Sequence, residues 1–336
     1  MSERALIVSA SPHLGGPDST PRIMWNVVGS LVPIVAASVW FFGPSALLVI
    51  VAATLGALLP ERLFGSSGSL GDGSAVITGV LLGLTLPPSL PLWMAFLGGV
   101  FGIAFGKLVF GGLGQNIFNP ALLGRAFLQA AFPVAITTYP PAGAGDAGWW
   151  ALRGDNFALP LMSASADVVS AATPLGLMKF EQTGTAVSDL VLGFTGGSVG
   201  ETSGLVILLC GGYLALRNYL NWRIPVSIFA TVALLGGVIR ALGGEQYPDP
   251  LFLLFSGGLM LGAMYMATDM VTSPTTHKGC WLFGFGVGAL VVVIRLWGGL
   301  AEGVMYAILL MNALVPFINR ATRPRVFGAR KVRVSS

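Results

Sequence analysis

The chain has 336 residues, 54% of them hydrophobic and only 10% charged, with a formal net charge of +4 and a mean hydropathy of +0.80. So few ionisable groups cannot clothe a water-soluble domain of this size, so the composition excludes an ordinary soluble enzyme and predicts an integral membrane protein. The positive excess comes largely from Arg320, Arg323, Arg325, Arg330, Lys331 and Arg333. Next to an apolar span such a cluster is a cytoplasmic anchor, and no nucleic-acid partner is expected.

Residues 1–22 are polar and run directly into an apolar segment, which predicts a cytoplasmic N-terminal segment without a cleavable signal. Apolar runs able to cross roughly 30 Å of hydrocarbon follow near 23–42, 44–60, 74–88, 92–110 and 120–136. Residues 137–202 then hold Pro140, Pro141, Gly143, Gly145 and many Ser and Thr, with no convincing span. A second set of runs lies near 203–220, 224–243, 249–267, 280–297 and 300–318, before a basic tail at 320–336. The predicted fold class is an all-α polytopic membrane protein of about ten transmembrane helices, in two five-span repeats (23–136 and 203–319) separated by a large outer loop (137–202). With the basic tail inside, an even span count puts the N-terminus inside too. Arg62, Arg217 and Arg223 then fall inside, while 245–249 and the acidic loop, with Asp146, Asp155, Asp167, Glu181, Asp189 and Glu201 against Arg153 and Lys179, fall outside.

The two halves share short matches. Gly79–Gly83 (Gly-Val-Leu-Leu-Gly) pairs with Gly258–Gly262 (Gly-Leu-Met-Leu-Gly), and Gly111-Gly112-Leu113 with Gly298-Gly299-Leu300. Five spans per repeat make the second repeat inverted, the plan of many transporters. Each half is interrupted after the first match, at 85–91 and at 268–276. Helices that stop within the membrane expose backbone groups able to hold ions or substrates, so these breaks are candidate translocation elements; ordinary loops beyond overlong spans remain the alternative. Gly98, Gly102 and Gly106, then Gly258 with Gly262 and Gly284 with Gly288, predict close helix contacts. Lys107 and Arg295 are expected to snorkel from span ends. Arg125 is deeper, with helix capping near the inner surface as its plainer reading. Cys210 and Cys280 are read as membrane-core residues, and Asp269 as a carboxylate contributing to ion coupling.

The outer loop contains Asp167-Val168-Val169-Ser170-Ala171-Ala172-Thr173. This resembles the pattern Asp-x-x-Ser/Thr-Gly-Ala-Thr at which a flavin transferase joins FMN to threonine through a phosphoester, with Ala171 standing where glycine is usual. A hydroxyl nucleophile, small neighbours and a nearby carboxylate suit that chemistry. The run Gly111–Arg125, which includes Gln115-Asn116-Ile117-Phe118-Asn119-Pro120, the Ser11-Pro12-His13 string and the segment Asp269–Gly279 with Thr272-Ser273-Pro274 are similar to the same family. It unites the D subunits of Rnf complexes with the B subunits of sodium-translocating NADH:quinone reductases. The resemblance covers nearly the whole chain, and its length favours the Rnf branch.

The resemblance implies a membrane subunit of a complex that couples electron transfer between ferredoxin and NAD to Na⁺ or H⁺ movement across a bacterial inner membrane. It implies covalent FMN on Thr173, with Asp167, Ser170 and Ala172 in the attachment motif, and riboflavin in the bundle. The riboflavin is carried to Asn116 and Asn119, whose amides can bond its polar edge or satisfy backbone groups in an Asn-Pro loop. Flavin supplies the redox chemistry and the protein supplies position and field. No Rossmann fingerprint, Walker loop or cysteine cluster occurs in the sequence, so NAD, ferredoxin and iron–sulfur sites are assigned to partner Rnf subunits, including a second flavin-bearing one, and maturation to a flavin transferase. The chain is not catalytic alone. The rival readings are the B-type polypeptide of the quinone reductase and a flavin-free secondary transporter.

Overall fold

The computed structural model describes residues 18–66, 68–143, 148–160, 171–193, 195–201, 203–244 and 246–324. All regular structure among them is helical. The first half contains α1 (Thr20–Phe42), α2 (Pro44–Phe64), α3 (Ser74–Leu84), α4 (Leu92–Ile103, continued by a π-turn over Ala104–Leu108), α5 (Pro120–Ala131) and α6 (Pro133–Thr137). Two short elements follow, α7 (Pro174–Gly176, continued over Leu177–Glu181) and α8 (Val187–Leu192). The second half contains α9 (Gly204–Leu216), α10 (Arg223–Gly243), α11 (Pro250–Phe255), α12 (Leu259–Leu261, continued over Gly262–Met266), α13 (His277–Trp297) and α14 (Val304–Ala321).

Five helices, α1, α2, α10, α13 and α14, are long and apolar enough to cross a membrane, and the chain is a multi-pass membrane protein. Proline sits in the first turn of α1, α2, α5, α6, α7 and α11, where its missing N–H costs nothing and its fixed φ starts the helix. Asn119 caps α5, Asp249 caps α11 and Thr276 caps α13 by accepting first-turn amides.

Several expected spans are broken. The 11 residues of α3 rise only about 16 Å, roughly half the hydrocarbon depth, and residues 85–90 beyond it are buried without being helical. Their backbone is satisfied from elsewhere: Val199 N–H donates to Leu86 O at 2.9 Å and Gly200 N–H to Leu84 O at 2.6 Å. The buried Asn156 donates to Pro88 O and Leu90 O at 2.9 and 3.1 Å. Non-helical backbone at such depth is tolerable only when protein supplies those partners. The expected span 249–267 is divided at Ser256–Gly258 into α11 and α12, and the expected span 120–136 at Phe132 into α5 and α6.

Helix neighbours in the first half recur in the second. Helix α2 packs along α4 as α10 packs along α13, and α4 meets α5 as α13 meets α14. Glycine makes these approaches possible. A methyl on Gly102 would sit 2.7 Å from Pro120 O of α5, and one on Gly284 would sit 2.8 Å from Ile224 O of α10. Gly98 and Gly106 abut the same face of α5, Gly288 abuts α10, and Gly262 abuts Val304 of α14. Cys280 is buried, whereas Cys210 of α9 is half-buried.

Candidate functional site

Two cavities lie at opposite ends of α3. The larger, of about 370 Å³, is lined by Thr85, Leu122, Arg125, Tyr139, Ala171, Ala172, Thr173, Ser198, Glu201, Met266 and Glu302. The smaller, of about 100 Å³, is lined by Ser74, Lys107, Asn116, Asn119, Ala121, Tyr265 and Asp269. Residues adjacent in the chain line one and the other. Helix α5 passes from one to the other between Ala121 and Leu122, and the π-turn after α12 between Tyr265 and Met266.

Thr173 precedes Pro174 at the start of α7, and its Oγ1 accepts the Gly176 N–H at 3.1 Å. The segment before it is tied down by Ala171 N–H donating to Tyr139 O at 2.7 Å. Behind it, Lys179 Nζ donates to three carbonyls at the end of α13, those of Ile294, Gly298 and Leu300, at 3.3, 2.6 and 2.8 Å. The chain is thereby fastened on both sides of Thr173. Asp167 and Ser170 of the same motif lie outside the described residues, as do His13 and Arg325–Arg333.

The floor of the larger cavity is charged. Arg125 Nη2 of α5 pairs with Glu302 Oε2 at 2.9 Å, and Glu302 Oε1 accepts the Gly258 N–H at 2.9 Å. Arg125, singled out for its depth, thus serves a part-buried ion pair rather than a helix start. Burial opposes ionisation of Glu302, but Arg125, the Gly258 amide and Arg295 hold its carboxyl below the ordinary range. Burial, reinforced by the charge of Glu302, pushes the Glu201 carboxyl up to about 8. The buried atoms Glu201 Oε1 and Ser198 Oγ have no hydrogen-bond partner among the described residues.

Lys107 and Arg295 do not snorkel. Lys107 is 3% exposed and its Nζ reaches Glu61 Oε1 at 2.9 Å and Ser74 Oγ at 2.7 Å, because an ammonium at this depth needs a counterion more than it needs water. Arg295, 4% exposed, donates to Leu253 O and Ser256 O at 2.5 and 2.9 Å. It thus closes the carbonyls left open where α11 stops.

At the smaller cavity, Asp269 accepts from Val271 N–H and Thr272 Oγ1, each at 3.2 Å, and Asn116 also bonds to it. Burial pushes the Asp269 carboxyl up, against those hydrogen bonds. Asn119 is committed to the protein: its Oδ1 accepts Ala121 N–H and Leu122 N–H, and its Nδ2 donates to Met266 O at 3.2 Å. Asn116 donates to Phe118 O at 3.4 Å. The three residues are brought together on one wall, and the two amides serve the backbone as an Asn-Pro loop requires. Sequence reasoning missed Glu61, Glu302 and Tyr139, and counted Glu201 only as a loop charge. The available signals were an acid in the last turns of a span and an acid in the short connection between two apolar runs.

The fold and site define a polytopic helical membrane protein with a hydroxyl-bearing segment seated over a cluster of charged side chains. The chain belongs to the NQR2, RnfD, RnfE family, which matches residues 7–328. It is 40% identical to the D subunit of the proton-translocating ferredoxin:NAD(+) oxidoreductase complex of Clostridium ljungdahlii, over 96% of each chain. It is 39% identical to the Na(+)-translocating counterpart of Acetobacterium woodii, over 99% of this chain and 98% of the relative. It is 42% identical to the D subunit of the ion-translocating oxidoreductase complex of Stutzerimonas stutzeri, over 92% of each. The family resemblance read from the sequence is borne out.

Proposed function

We propose that the chain is the D-type component of a redox-driven ion pump, which passes electrons between ferredoxin and NAD while Na⁺ or H⁺ crosses the membrane, together with the other membrane and peripheral subunits of an Rnf complex. The observation that carries this is full-length similarity to relatives bearing that name, joined to a cavity that Thr173 faces. The same names favour it over the B-type polypeptide of the quinone reductase and over a solitary transporter.

FMN on Thr173 is part of the proposal. Its support is the fit of the surroundings: a hydroxyl between the small residues Ala172 and Pro174, a cavity of about 370 Å³ beside it, and buried polar atoms of Ser198 and Glu201 without partners among the described residues. When bound, the group supplies one-electron redox chemistry. The residues of this chain hold and orient it. Thr173 provides the ester oxygen and keeps the Gly176 amide as donor, Lys179 anchors the segment, and the Arg125–Glu302 pair forms the cavity floor. Attachment suits a cofactor on an outer loop, where a dissociable one would be diluted away.

The topology is part of the proposal as well: ten spans in inverted repeats, the basic tail and N-terminal segment in the cytoplasm, and 137–202 on the periplasmic side of an inner membrane. The recurrence of α2–α4 contacts as α10–α13 contacts and the paired breaks after α3 and α12 support it. Riboflavin is proposed at the smaller cavity with Asn116 and Asn119 on its wall, and Asp269 beside them as the coupling carboxylate. The support for both is that the three residues line one space, joined to the cavity of Thr173 by adjacent residues of α5. Inverted vesicles given reduced ferredoxin and NAD test the function: ion uptake present with the chain and abolished without it supports the reading, and uptake unchanged without it removes the reading.

A further inference from the structure

Two carboxyl groups converge at the floor of the larger cavity. A methyl on Gly258 would come 3.2 Å from Glu201 Oε1 and 3.9 Å from Glu302 Oε1, so both acids point at one spot. They are not equivalent. Glu302 is held by Arg125 and by the Gly258 N–H, each at 2.9 Å. Glu201 Oε2 receives a long bond from Ser198 N–H, at 3.4 Å, the Glu201 and Glu302 carboxyls share a side-chain hydrogen bond, and Glu201 Oε1 is buried without a donor among the described residues. The groups facing the pair are Arg125 from α5, Tyr139 from the segment after α6, Arg295 from α13 and Glu181 on the cavity wall. Two carboxylates this close do not both ionise freely. Glu302, next to Arg125, keeps the charge, and Glu201 is the acid of the pair that exchanges a proton.

We propose that Glu201 is the proton-accepting group of the cavity beside Thr173, taking up one proton when the group borne by Thr173 gains an electron and releasing it when that electron leaves. This rests on the reading that Thr173 carries a flavin. The balance is one electron from a low-potential donor in a neighbouring component of the complex and one proton from the aqueous mouth of the cavity. An O–H bond forms on a Glu201 oxygen and breaks again on reoxidation, and no other bond changes. The net charge near the flavin is thereby held constant, which matters because an uncompensated charge in a water-poor cavity is costly. With the carboxyl pushed up to about 8, the carboxylate able to accept the proton is present from about that pH upward, and the exchange operates there.

The test uses the purified complex with wild-type chain, Glu201→Gln and, as a second acid of the same cavity, Glu181→Gln. Redox-induced infrared difference spectra, taken from about pH 8 upward, and the pH dependence of the covalent flavin's potential are recorded, after fluorescence of the denatured band has established that the flavin is attached. A carboxylic C=O band gained on reduction in wild type and Glu181→Gln and lost in Glu201→Gln, with a shallower pH dependence in Glu201→Gln, is the expected result. A fluorescent band with the infrared signal and pH dependence unchanged in Glu201→Gln overturns the proposal and leaves the flavin reading intact. A wild-type band without flavin removes both. Should Glu201→Gln fail to assemble, wild type decides alone: absence of a carboxylic band on reduction, with no change of slope near about pH 8, overturns the proposal.

Discussion

Arg125 and Glu302 are 177 residues apart in the chain and 2.9 Å apart in space. The pair ties α5 of the first half to the connection between α13 and α14 of the second, under the segment that presents Thr173. Removing one partner of a fully buried pair strands the other at a cost of about 3–5 kcal/mol, and replacing both with apolar residues is often neutral; this pair, 10% and 22% exposed, falls below that range. Arg125→Met and Glu302→Met are each expected to lower thermal stability in detergent, and the double variant to recover most of the loss.

Lys179 makes three hydrogen bonds to carbonyls at the end of α13, and hydrogen bonds from a charged donor contribute about 1.5–3 kcal/mol in favourable cases. Lys179→Met is expected to leave the flavin attached and to loosen it. Fluorescence anisotropy of the bound flavin should fall while the label per chain stays constant.

The proton on Glu201 makes stability depend on pH. Its carboxyl is raised from 4.5 to about 8 in the folded protein, so between those values the unfolded chain has lost a proton that the native state keeps. Stability from this group therefore falls as pH rises across that window. Glu201→Gln is expected to flatten that decline, as read from melting temperatures taken at intervals from about pH 5 to about pH 8.

Asp269 is expected to bear on coupling and not on assembly, since among the described residues its carboxyl bonds only to the nearby Val271, Thr272 and Asn116. Asp269→Asn should lower the ions moved per electron in vesicles. An unchanged ratio would end its assignment to coupling.

Much of the fold was legible because apolar runs of membrane length announce themselves. Helices α1, α2, α10, α13 and α14 match their runs within a few residues. What hydropathy did not reveal is where an apolar run stops being helical. Residues 85–90, with Pro87 and Pro88, were legible as a break; that this non-helical stretch stays buried rests on Asn156 and the backbone of Val199 and Gly200 as partners, which is long-range information. Lys107 and Arg295 were misjudged for the same reason. A charge at a span end has water as its default partner, and only the packed structure brings Glu61 or the Leu253 and Ser256 carbonyls within reach. The site was partly legible. Thr173, Arg125, Asn116, Asn119 and Asp269 were each singled out, and the structure gathers them about two neighbouring cavities. Glu302 stayed hidden because one acid in a short loop carries no local sign of the arginine it will meet.

The most direct test of the central claim is the state of Thr173. Purified, denatured wild-type chain co-expressed with a flavin transferase should fluoresce on a gel under ultraviolet light and weigh one FMN more than its sequence, and Thr173→Ala should do neither. A wild-type chain without fluorescence or added mass, or a Thr173→Ala chain that keeps both, would contradict the account.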